Sequence, residues 1–122
     1  MASNKEEKLK TTEMVTSSNL VAAGTVIVGN IATPGNIRVE GTVEGSLESQ
    51  NKIIVGDSAE VHGNLSAKEI EIAGHVKGEI RCSGALFLKK TAVILGDIYT
   101  KKLIIENGAE LNGKCNMGSQ AD

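Results

Sequence analysis

A five-residue unit, apolar–any–Gly–any–apolar, returns six times at nearly constant intervals, and no other feature of this chain restricts its folding as strongly. It reads IVGNI at 27–31, VEGSL at 43–47, VHGNL at 61–65, VKGEI at 76–80, ILGDI at 94–98 and LNGKC at 111–115. The central glycines are 16, 18, 15, 18 and 17 residues apart. Helical solenoids and propellers have periods of about 20–50 residues, so a repeat of ~17 is too short for a helix pair. Upstream of each unit stands an apolar–any–apolar pair: Leu20/Ala22, Ile37/Val39, Ile53/Val55, Ile70/Ile72, Leu86/Leu88 and Leu103/Ile105. Alternation with period two places one face of an extended strand inside and the other in solvent.

Short strands turning at fixed intervals describe a parallel β-helix, one coil per repeat. The fold is therefore expected to be all-β, a solenoid of about six coils of 15–18 residues with short disordered tails. The recurring Gly suits a sharp turn at positive φ. Thr33, Ser49, Ala67, Cys82 and Thr100 follow the first five units by two residues, and their small size suits a tight inward corner. Repeats three, five and six carry two extra residues before their Gly unit, each with an Ala (Ala59, Ala92, Ala109) to floor a wider corner. One Phe, one Tyr and no Trp fit a core of thin aliphatic layers. The boundaries expected are a disordered polar tail at 1–19, the β-helix at 20–115 and a short tail at 116–122.

The same chain excludes several classes of function. Thirteen basic and fifteen acidic side chains leave a net charge of −2, far from the basic footprint of a nucleic-acid binder. No apolar run approaches the ~18 residues of a membrane-spanning helix. The N-terminal MASNKEEKLK lacks the apolar core of a secretory signal, and Cys82 and Cys115 form no CxxC or Cys/His cluster. A cytoplasmic protein with free thiols is expected, with no cofactor, no metal site at His62 or His75 and no phosphate-binding loop for a nucleotide.

A β-helix ends in exposed apolar slots and unpaired strand edges, which solenoids normally cap. Neither end here has an amphipathic cap, so end-to-end self-association is expected, through Leu20, Ala22, Ile27 and Ile31 at one end and Leu103, Ile105, Leu111 and Cys115 at the other. Two further surfaces stand out. Lys52, Lys68, Lys89-Lys90 and Lys101-Lys102 form either a ridge for anionic lipid or, interleaved with Glu48, Glu69 and Glu106, a solvated face. Phe87, between Leu86 and Leu88, points outward by alternation and suits a lateral contact unless its strand is distorted.

The motif set IRVEG at 37–41, VEGSL, VHGNL, VKGEI and ILGDI, in a chain of this length with a short polar tail, resembles the bactofilins, bacterial polymer-forming cytoskeletal proteins. The resemblance covers residues 20 to 115. It implies a right-handed helix, a hand that periodicity alone does not assign. It also implies nucleotide-independent, non-polar filaments in which like ends meet. As a scaffold for cell shape and morphogenesis, such a protein works beside peptidoglycan-remodelling enzymes at the inner face of the cytoplasmic membrane. The N-terminal segment lacks the apolar or basic character with which relatives bind membrane. The competing reading is a hexapeptide-repeat acyltransferase on a left-handed β-helix, with residues 55–60 as one six-residue unit and His62 as general base. Coils that vary from 15 to 18 residues break the six-residue phase that this reading needs.

Overall fold

The computed structural model describes residues 11–13 and 18–117. The first coil comprises β1 (Thr11–Glu13), β2 (Ser18–Val21) and β3 (Val26–Val28). The second follows as β4 (Asn30–Thr33), β5 (Asn36–Val39) and β6 (Thr42–Glu44), and the third as β7 (Leu47–Ser49), β8 (Lys52–Val55) and β9 (Glu60–His62). Next come β10 (Leu65–Ala67), β11 (Glu69–Ile72) and β12 (His75–Lys77). In the coils after that, two faces are traced by one continuous strand: β13 (Ile80–Leu88) leads to β14 (Val93–Leu95), and β15 (Ile98–Ile105) to β16 (Glu110–Asn112). The described residues end in β17 (Cys115–Met117).

Each strand pairs in parallel with its counterpart one coil away, which produces three ladders and hence three faces. The first face runs β1, β4, β7, β10, the start of β13 and of β15, and β17. The second runs β2, β5, β8, β11 and the ends of β13 and β15, and the third runs β3, β6, β9, β12, β14, β16. The architecture is the all-β solenoid of about six turns expected from the repeat.

Register stacks like on like. Ile31, Leu47, Leu65, Ile80 and Ile98 form one buried column, and Ile37, Ile53, Ile70 and Leu86 form another. Coils lie ~4.8 Å apart, so each aliphatic side chain rests on the one below and leaves no gap for an aromatic ring. The recurring glycines turn the chain from third face to first at φ values of 135° to 149°. Positive φ is one reason they are glycine. The other is contact: a Cβ on Gly63 would land on the carbonyl oxygen of Gly45, one coil before.

The small residues at 33, 49, 67, 82 and 100 are buried at the corner from first to second face, as their size suggested. Their polarity has a separate use. Ser49 Oγ donates to Gly35 O at 2.6 Å and accepts the Asn51 N–H at 2.9 Å. Thr100 Oγ1 donates to Lys102 O at 2.9 Å, and Cys82 Sγ lies 3.1 Å from Ala85 O. These bonds give the corner side chains backbone partners within the buried interior. Burial pushes the Cys82 thiol above its ordinary pKa, despite hydrogen bonds that act the other way.

Three expectations need correction. Thr11–Glu13 and Ser18–Val21 are strands, so the ladder begins before residue 20, and β17 carries it through Met117; residues 1–10, 14–17 and 118–122 lie outside the described residues. Leu20 and Ala22 do not face inward. Leu20 aligns with the outward Arg38 and is 62% exposed, while Asn19 and Val21 take the slots of Ile37 and Val39. A one-residue shift exchanges the two faces of a strand. Finally, Cys115 keeps the inward register of Ile98 but, with no coil beyond it among the described residues, is exposed rather than a buried structural thiol.

Candidate functional site: the two ends of the rod

At the C-terminal end the same columns that form the core emerge into solvent. Leu88 is 0% exposed, and Ile105, its successor in register, is 50% exposed. Thr100 is 0% exposed and the Met117 above it 53%. Leu103, Ala109 and Leu111 stay partly buried against the core, and Cys115 and Ile104 are exposed beside them. Among the described residues, β16 and β17 have a partner strand on one side only. Both a hydrophobic surface and an open backbone edge are therefore presented together. Desolvation by the neighbours it does have pushes the Cys115 thiol up.

The N-terminal end is closed by comparison. Val21 is 2% exposed, Ile27 7% and Ile31 1%. Part of the cover is β1, which pairs Thr12 with Ile31 and continues the first face by one level. Asn19 replaces the aliphatic residue of its column; its amide donates to Thr33 Oγ1 at 3.0 Å and to Asn36 O at 3.2 Å. Of the four residues expected at this end, Ile27 and Ile31 are inward and covered, while Leu20 and Ala22 are on the outer surface.

A sequence signal for that register existed. Counting back from each Gly, the inward residue lies six residues before Gly45 (Val39) and eight before Gly63 (Val55), Gly96 (Leu88) and Gly113 (Ile105). Val21 lies eight before Gly29, whereas Ala22 lies seven, which fits neither kind of corner. Thr25 then takes the place of Ala59, Ala92 and Ala109: its N–H donates to Ala22 O at 3.0 Å, as that of Ala59 does to Gly56 O. The first coil has a wide corner too.

Away from the ends the surface is polar and interleaved. Glu71 stands between Lys52 and Lys89, 3.7 Å from each, and the Glu106 carboxylate accepts the Lys90 N–H at 3.0 Å. Lys52 and Lys89 thus share one carboxylate, while Lys68, Lys101 and Lys102 are exposed. Phe87 is half-buried on the outer side of the second face, between Glu71 and Ile104 in register, with Lys89 Nζ 5.2 Å from its ring centre. Its strand keeps regular pairing there, so alternation, not distortion, sends it outward. His62 and His75 are exposed, and His62 Nε2 lies 3.3 Å from Glu60 Oε1. Among the described residues no group of three His, Cys, Asp or Glu is placed to hold a metal ion, and no helix is long and apolar enough to cross a membrane.

Comparison with known proteins points to one family. Residues 19–116 match the bactofilin family model, described as polymer-forming cytoskeletal. The chain is 30% identical over 101 residues to bactofilin BacO of Myxococcus xanthus (strain DK1622), covering 83% of this chain and 80% of that protein. It is 31% identical over 110 residues to bactofilin BacP of the same organism, covering 87% of this chain and 46% of BacP. The chain thus spans about half the length of BacP. No solved structure matches it significantly.

Proposed function

Because this chain belongs to the bactofilin family of polymer-forming cytoskeletal proteins, we propose that it is a non-catalytic scaffold whose rods join end to end, without nucleotide, into non-polar filaments. The observation that carries this reading is the emergence of the core columns at the C-terminal end, where Ile105 and Met117 are half exposed above a fully buried coil. Covering that surface with an identical one buries Leu103, Ile105, Leu111, Cys115 and Met117 from both sides. A contact of like ends is closed by a two-fold axis, so it produces a discrete pair. Growth into a filament then needs the N-terminal ends to meet as well.

The N-terminal contact differs in kind. Ile27 and Ile31 already lie under cover and Asn19 is hydrogen-bonded, so little apolar surface is left to drive it. Pairing of strand edges and the outward Leu20 and Ala22 remain as its means. Assembly is therefore ordered: pairs joined through C-terminal ends form at lower concentration, and N-terminal contacts link the pairs into filaments. In the cell such a filament supports shape and positions cell-wall enzymes at the inner face of the cytoplasmic membrane.

Cys115 supplies the test. It is the one exposed cysteine among the described residues, Cys82 being buried. Polymer assembled in nucleotide-free buffer and treated with a flexible bis-maleimide should give covalent dimers and nothing larger. Polymer that pellets fully yet gives no dimer means that the C-terminal end meets something other than itself, and the like-end reading fails.

A further inference from the structure

The outer surface of the third face is ordered along the rod in a way that ladder register makes exact enough to pair. Its first coil presents Val26 and Val28, both exposed; the second, Thr42 and Glu44; the third, Glu60 and His62. The fourth presents His75 and Lys77, the fifth Val93 and Leu95, the latter exposed, and the sixth Glu110 and Asn112. Apolar groups thus lie two coils to either side of the third. An acid lies one coil before it and a base one coil after it. Reversing the order of the coils exchanges apolar for apolar and acid for base.

We propose that this face binds the same face of a second copy, with the two rods antiparallel and the two-fold axis along the Glu60–His62 level. An isologous contact makes each pairing twice. Glu44 then faces Lys77 of the second copy, and Lys77 faces its Glu44. Val26 and Val28 meet Val93 and Leu95, where a depression of about 190 Å³ lined by His75, Lys77, Val93 and Leu95 has room for their methyl groups. On the axis Glu60 approaches its own copy, and His62, 3.3 Å from it, is a hydrogen-bond donor within reach of either carboxylate. Rods running the same way would set Glu60 against His62 and His75 against Lys77 and leave Glu44 facing Thr42; the two Glu44–Lys77 pairs form only in the antiparallel arrangement, and they select it. Glu44 and Glu60 also make the face a poor match for anionic lipid.

Five coils at ~4.8 Å and strands three residues long give a contact roughly 24 Å by 10 Å, far below the ~800 Å² per partner of a stable complex. A single pair of rods holds weakly. Repetition along a filament multiplies the contact without adding a new one, and this multiplication rests on the filament reading. A filament of like-end contacts contains rods of both directions, which suits an antiparallel lateral contact. The expected product is bundles.

Bundles pellet at low centrifugal speed, and single filaments only at high speed. Lys77→Glu should abolish the low-speed pellet and keep the high-speed one, Glu44→Lys should do the same, and the double swap should restore bundles. Wild-type filaments that never pellet at low speed overturn the pairing alone, as does a double swap that restores nothing. Wild-type protein that pellets at neither speed fails the filament reading and takes this proposal with it.

Discussion

The two ends of this rod are built from the same columns and treat them oppositely. In the first coil, Val21 and Ile27 are buried; in the last, Ile105 and Met117 are half exposed. Three differences produce this contrast. An extra strand at Thr11–Glu13 covers the first face at the N-terminal end, and a hydrogen-bonded Asn19 stands where later coils put Ile or Leu. At the C-terminal end, by contrast, aliphatic residues continue into the last coil. A repeat that simply continues exposes its core, and a repeat that ends on a polar substitution closes it. Association through the C-terminal end gains far more from burial, at ~25 cal/mol per Å² of apolar surface, than association through the other.

The comparison predicts its own failure points. The largest effect is expected from Ile105→Arg, which places a charge in the exposed end while touching little of the folded core. It should leave a β-rich protein by circular dichroism and remove sedimentable polymer entirely, with Leu111→Arg as a second variant; undiminished pelleting would show that this end does not assemble. Leu20→Arg at the opposite end, where the side chain is outward and exposed, should stop assembly at pairs, read as a dimer by light scattering. Monomers from that variant would reverse the ranking of the two ends.

A smaller effect separates the two sides of the first inward strand. Val21→Ser should cost about 1–3 kcal/mol in urea unfolding, because a buried aliphatic is lost. Leu20→Ser should stay within ~0.5 kcal/mol, as surface changes do. Equal costs would place the register elsewhere. The smallest expected effect is chemical: iodoacetamide should modify Cys115 in the unassembled protein and spare Cys82 until unfolding. Because desolvation raises the Cys115 pKa, its rate should still climb at pH values where an ordinary thiol has levelled off. Protection of Cys115 on assembly would then report burial of that end.

Much of the fold was legible in the chain. The glycine spacing gave away the coils, since only Gly tolerates positive φ with a neighbouring carbonyl stacked against it, as at Gly63. The wide corners at Ala59, Ala92 and Ala109 were legible from two-residue insertions. The bactofilin resemblance over residues 20 to 115 agrees with the family match over 19–116. What escaped was local. Leu20 and Ala22 look better as core than Asn19 and Val21 do, and only the distance back to Gly29 contradicts that choice. Ser49 and Thr100 were legible as small but not as the donors that complete a corner.

The sequence by itself determined the period, the turn residue, the inward columns of five coils and the class of protein, because each depends on spacing along the chain. Tertiary structure alone decided which columns are closed and which are open. An inward residue is buried only if another coil lies beyond it, and the chain writes Ile105 in the same pattern as Leu88. The order of charges on the third face likewise exists only once coils are stacked, since register brings together residues 15 to 18 positions apart.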